Sequence, residues 1–92
     1  MILKADRFGN LITNFHVAVN SAITAQPFEL RIARQSIRRL ALTFSDAKIG
    51  ELVSIVGSSG YVEIAANQAS AAALLGCGSR SPLELEFYPA GS

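Results

Sequence analysis

Leu52-Val53-Ser54-Ile55-Val56-Gly57-Ser58-Ser59-Gly60-Tyr61-Val62-Glu63-Ile64-Ala65-Ala66 reads as two strands joined by a turn. Leu52 to Val56 is apolar and β-branched, the composition of a buried strand. Gly57 to Gly60 is a tight turn of small residues. Tyr61 to Ala66 then alternates, with Val62, Ile64 and Ala66 on one face and Tyr61, Glu63 and Ala65 on the other.

The same period recurs outward from this hairpin. Ile2 to Asp6 and Leu11 to Phe15 flank a turn at Arg7-Phe8-Gly9-Asn10. Phe28, Leu30 and Ile32 alternate with Glu29, Arg31 and Ala33, and Leu40, Leu42 and Phe44 alternate with Arg39, Ala41 and Thr43. A turn at Gln35-Ser36 would join these two runs into an antiparallel hairpin. Residues 16–27 read as a loop with at most a helical turn. After Ala66 the pattern changes to a short helix, with Asn67 as N-cap, Ala69 to Leu75 as body and Gly76 as stop. Leu83, Leu85 and Phe87 form a last strand before Pro89. The expectation is a mainly all-β fold. It is an antiparallel, partly open, Greek-key-like barrel of six or seven strands with one short α-helix, in one domain over residues 1–92.

Composition bounds the function. The 92 residues are 50% apolar, 16% charged and carry a net charge of +1. So apolar a surface for so small a core suggests that some residues face a partner. The basic residues Arg31, Arg34, Arg38 and Arg39 read either as a solvated hairpin face or as an anion or nucleic-acid patch. Cys77 and His16 are each single of their kind. They leave no metal cluster and no disulfide, which fits a reducing cytoplasm. His16 reads as an ordinary surface histidine. Residues 1–15 hold too many polar groups for a signal peptide, and no run is long enough for a membrane span. Nucleophile elbow and phosphate loop are both missing. Glu84 and Glu86 lie two apart on a strand and face solvent. Glu63 reads as an exposed strand residue. What remains are binding groups: an aromatic and an amide in Phe8-Gly9-Asn10, and hydroxyls with close N–H groups in Ser58-Ser59-Gly60.

Two segments go further. Asp6-Arg7-Phe8-Gly9-Asn10-Leu11-Ile12-Thr13-Asn14 and Gly57-Ser58-Ser59-Gly60-Tyr61-Val62-Glu63-Ile64-Ala65-Ala66-Asn67-Gln68-Ala69-Ser70-Ala71-Ala72 resemble the signature stretches of one domain. It is the C-terminal domain of S-adenosylmethionine hydroxide adenosyltransferases, sister enzymes of fluorinases and chlorinases. The resemblance covers nearly the whole chain. It implies a β domain that sits behind an α/β N-terminal domain in the family, and a homo-oligomer, typically a trimer. The active site would lie between the C-terminal domain of one subunit and the N-terminal domain of the next. The implied reaction is attack of water or hydroxide on the ribose C5′ of S-adenosylmethionine, releasing adenosine and methionine. No metal or cofactor is implied. The catalytic Asp, Arg and His belong to the N-terminal domain, so these residues are expected to be inactive alone.

By resemblance, Asn10 meets the adenine edge, Phe8 shapes the pocket and Phe44 packs on the base. Backbone around Ala66 and Gln68 pairs with the same edge. Asp6 meets the methionine ammonium, and Ser58 with the Ser59 backbone holds the methionine carboxylate. Each residue also has a plainer reading. Phe8 and Phe44 would fill the core. Asn10, Ser58 and Ser59 would only form turns, and Asp6 would pair with Lys4 or Arg7. Ser59 stands where fluorinases carry arginine, and Ile12 where they carry tryptophan, which points to the hydroxide-using branch. Two other classes compete with this expectation. One is a stand-alone barrel meeting nucleic acid or an acidic partner through the Arg31–Arg39 hairpin. The other is an assembly part without catalysis.

Overall fold

The computed structural model describes residues 1–89. Seven strands form: β1 (Ile2–Ala5), β2 (Leu11–His16), β3 (Phe28–Ile32), β4 (Gln35–Ile37), β5 (Leu52–Val56), β6 (Tyr61–Ala66) and β7 (Glu84–Phe87). One α-helix, α1 (Ala71–Leu75), and two short 3-10 turns, Ser21–Thr24 and Phe44–Asp46, complete the elements. The strands make two antiparallel sheets, ordered β1-β2-β6-β5 and β4-β3-β7. The mainly β expectation therefore holds, with the strands divided between two sheets.

Alternation explains how the sheets meet. Ile2, Leu11, Val62 and Ile64 of the first sheet share one buried cluster with Phe28, Leu30, Ile32 and Ile37 of the second. Removing these side chains from water is the main stabilising term, about 1.5–3 kcal/mol for each large one. Ala71 and Leu75 of α1 join that cluster. Ser70 caps the helix by accepting from the Ala73 N–H at 3.0 Å, and Gly76 ends it at φ +65°. Asn67 is not the cap, because its amide donates to the Ala47 carbonyl at 2.8 Å.

Two strand expectations need correction. The turn between β3 and β4 falls at Ala33-Arg34, with φ of +49° and +66°, and Gln35-Ser36 belongs to β4. The Arg39–Phe44 run is no strand. Leu40 makes a single bridge to Ser54, and the chain then coils into the Phe44–Asp46 turn. The cause is local. Thr43 accepts from the Ser45 N–H while Asp46 accepts from the Thr43 N–H, a capping box that competes with a sheet ladder.

The outer face of the second sheet carries an ion cluster. Glu29 is buried and accepts from Arg31, from Arg38 at 2.8 Å and from Tyr88 at 3.2 Å. Arg31 also reaches Glu84 at 3.0 Å and Glu86 at 2.9 Å. The guanidinium groups of Arg38 and Arg31 hold the Glu29 carboxyl at about 2, far below 4.5. Such a depressed carboxyl stabilises the fold above about pH 4.5 and loses that contribution as pH falls toward about 2. The urea midpoint of the wild type should drop through that window, and Glu29→Gln should flatten the drop.

The hairpin tip offers a second check. Two non-glycine residues in the left-handed region each cost about 1–2 kcal/mol. Replacing Ala33-Arg34 by Asn-Gly, the residues a two-residue hairpin prefers, should gain about 1 kcal/mol and raise the melting temperature by roughly 4–8 °C. A scanning calorimetry trace with no upward shift would show that the tip is unstrained.

Candidate functional site

The order β1-β2-β6-β5 fixes where the two signature loops lie. The turn between β1 and β2 sits beside the C-terminal end of β6, since Leu11 pairs with Ile64. The turn between β5 and β6 sits at the opposite end, since His16 pairs with Tyr61. Tyr61 to Ala66 at about 3.3 Å per residue puts roughly 17 Å between the two ends.

At the first end lies a cavity of about 460 Å³, lined by Phe8, Asn10, Phe44, Ala66, Gln68 and Ala69. Its volume is in the range of small-molecule sites. Asp6 builds the Phe8-Asn10 corner. Its Oδ1 accepts from the Phe8 and Asn10 N–H groups, each at 2.9 Å, and its N–H donates to the Asn10 carbonyl at 2.9 Å. Gly9, at φ +83°, takes the left-handed position, so Asn10 is not needed there. The Asn10 side-chain amide has no hydrogen bond among the described residues. Phe8 is 66% exposed with the Arg7 guanidinium 4.8 Å from its ring centre, and Phe44 is 46% exposed. Neither fills the core.

The opposite wall is the chain leaving β6. Asn67 is held by its bond to Ala47 and by its carbonyl, which accepts from the Gly50 N–H at 2.8 Å. Gln68 then turns at φ +55°, an outlier that costs about 1–2 kcal/mol for a side chain with a Cβ. The Gln68 N–H and C=O pair with no other described residue. An amide side chain, two aromatic rings and unpaired backbone groups converge here, which is the equipment for a flat heteroaromatic ring. Ala69 also lines the cavity and was not singled out from sequence. Leu42 and Ile49, exposed at 92% and 74%, flank Phe44 along the chain.

Ser58 and Ser59 do not reach this cavity. They are exposed in the β5–β6 turn, at the far end of β6. Asp6 is near the cavity but not in its lining, and it forms no ion pair with Lys4 or Arg7. Between the two ends lies Glu63, which shares a sheet face with Ile12 and Ile55. It is half-buried, contrary to the exposed position expected, and its carboxylate packs against Gly57. Burial, and then Asp6, push its carboxyl up, with Lys4 opposing. Only the three-dimensional register brings Glu63 to Gly57, so no local sequence signal marks it.

The arginine patch is largely spent inside the protein. Arg31 and Arg38 are held by Glu29, and Arg39 bonds the Asp46 carbonyl at 2.9 Å and faces Glu51 at 3.8 Å. Arg34 alone of the four makes no ion pair among the described residues. No group of three or more His, Cys, Asp or Glu converges among the described residues, and none of their helices is long and apolar enough to cross a membrane.

Gly9 ties the cavity to the helix. Its carbonyl accepts from the Ala72 N–H at 2.8 Å, and a Cβ built on it would overlap the Ser70 side chain. Gly9→Ala should cost on the order of 2–4 kcal/mol, from left-handed strain and overpacking together. Urea unfolding measures it, and a cost below about 1 kcal/mol would mean the turn moves freely off Ser70.

Comparison with known proteins identifies the family. Residues 1–84 match the model of the SAM hydroxide adenosyltransferase C-terminal domain. An (R)-S-adenosyl-L-methionine hydrolase of Salinispora tropica is 40% identical over 75 residues, 82% of this chain and 27% of that protein. The chain thus spans about a quarter of that relative. A crystal structure of a conserved protein from Thermotoga maritima superposes with a TM-score of 0.75 at 26% identity, covering 89% of this chain and 33% of the other. One of a conserved protein from Thermus thermophilus gives 0.75 at 28% identity, covering 92% and 33%. The signature loops, the two-sheet fold and these matches place the chain in the SAM hydroxide adenosyltransferase family, as its C-terminal domain.

Proposed function

We propose that this chain is the substrate-gripping domain of an enzyme that cleaves S-adenosylmethionine to adenosine and methionine. The cavity would take adenine. Asn10 would read its edge with a donor and an acceptor, the Gln68 peptide would pair beside it, and Phe44 and Phe8 would cover its faces. The observation that carries this reading is the convergence of Phe8, Asn10, Phe44, Ala66 and Gln68 on one cavity.

The methionine end would lie along β6. The roughly 17 Å between its ends is comparable to an extended S-adenosylmethionine. Asp6 keeps Oδ2 free for an ammonium group, and Ser58 with the Ser59 backbone would meet the carboxylate. A charge-assisted contact at Asp6 is about twice as strong as a neutral hydrogen bond. The reacting C5′ would then fall between the two ends, and the Asp, Arg and His that act on it in the family belong to the α/β domain. Displacement by water or hydroxide therefore needs the family's α/β domain, and this chain alone is inactive. The exposed apolar side chains of Leu42, Ile49, Phe8 and Phe44 would suit burial by that domain from a neighbouring subunit in a homo-oligomer, a trimer in this proposal. Neither metal nor cofactor takes part, and the cytoplasm supplies the substrate.

Titration calorimetry with adenosine tests the adenine end. The wild type should bind. Phe44→Ala should weaken binding by roughly 5- to 150-fold, as expected for about 1–3 kcal/mol of lost stacking. Asn10→Leu should weaken it by about tenfold or more, because a purine edge would be left unpaired. No heat with adenosine, or full affinity in both variants, would end the adenine assignment.

A further inference from the structure

We propose that His16 is a positioning residue for the Ser58–Ser59 turn, and so for recognition of the methionine carboxylate; this rests on the reading above. His16 closes β2 opposite Tyr61, whose ring meets the imidazole edge-on at 4.8 Å and 87°. Its Nδ1 accepts from the Ala18 N–H at 3.0 Å, which fixes the proton on Nε2. That Nε2–H donates to the Ser59 carbonyl at 3.0 Å.

The turn is built onto this ring. Gly60 lies against the imidazole at φ +87°, and a Cβ there would come within 2.5 Å of Nε2. The Gly60 carbonyl accepts from the Val17 N–H at 3.0 Å, and the Gly60 N–H donates to the Gly57 carbonyl at 2.9 Å. The carbonyls of Gly57, Ser59 and Gly60 are thereby all engaged. Left without partners among the described residues are the N–H groups and hydroxyls of Ser58 and Ser59 and the Ser58 carbonyl. A carboxylate is held by such turn donors and repelled by a carbonyl oxygen. Turning the Ser59–Gly60 peptide over would break both the Gly60 N–H bond to Gly57 and the Ser59 carbonyl bond to His16. His16 holds that carbonyl away, across 43 residues of sequence.

Two conservative variants separate this role from plain packing. The Gln Nε2 donor reaches about as far from Cα as the imidazole Nε2, so His16→Gln keeps the Ser59 bond. The Asn Oδ1 acceptor mimics Nδ1, so His16→Asn keeps only the Ala18 bond. Amide relaxation of the free chain should give order parameters near about 0.85 at Ser58 and Ser59 in the wild type and His16→Gln, falling below about 0.6 in His16→Asn. With ligand, His16→Asn should bind S-adenosylmethionine about tenfold more weakly, a loss of one well-made polar contact, yet bind adenosine as the wild type does. Unchanged order parameters in His16→Asn, or equal weakening toward both ligands, overturns the proposal. Should the wild type bind neither ligand, the substrate reading fails, while the relaxation data still decide whether His16 holds the turn.

Discussion

The pairing of β2 with β6 is the constraint on which the rest depends. Leu11 opposite Ile64 fixes the register, and both are fully buried. A slip by one residue would turn Leu11, Thr13, Val62 and Ile64 out of the core. It would also separate Asn10 from Ala66 and His16 from the turn before Tyr61. One ladder therefore sets the core and aligns both signature loops at its two ends.

Polar groups then lock the ends that burial alone would leave loose. Thr13 donates from its hydroxyl to the Val62 carbonyl at 2.7 Å, inside the core. Ser54 donates to the Arg39 carbonyl at 2.7 Å and so holds the segment that carries Phe44. Asp6 and Asn67 do the same for the two walls of the cavity. Among the described residues the Asn10 amide, the Gln68 peptide and the donors of Ser58 and Ser59 are left without a partner. Those groups are the ones the proposed substrate reading uses.

Charge is arranged to the same end. The second sheet holds Arg31 and Arg38 in a cluster around Glu29, none of which lines the cavity. That cluster stabilises the sheet and removes the arginines from any role as a phosphate-binding stripe. On the first sheet, Asp6 and half-buried Glu63 bring two carboxyl groups near each other, and burial, then Asp6, push against ionisation of the Glu63 carboxyl.

The strands β5 and β6 were legible to the residue, because period-two alternation and the bracketing glycines are local signals. Family membership was legible for the same reason, as it rests on contiguous loop residues. The strand expected at Arg39–Phe44 failed where Thr43 and Asp46 closed on each other, a competing local signal of the same strength. The Ala33-Arg34 turn was hidden because neither residue favours the left-handed region, and the pairing around it imposes that geometry. The helix began at Ser70 because a distant carbonyl, that of Ala47, claimed Asn67. Sequence alone thus determined the strands with clear alternation, the signature loops and the family. The tertiary structure decided which loops share a cavity, which carboxylate is buried and what His16 touches, because those depend on contacts between residues far apart in the chain, and no local periodicity encodes them.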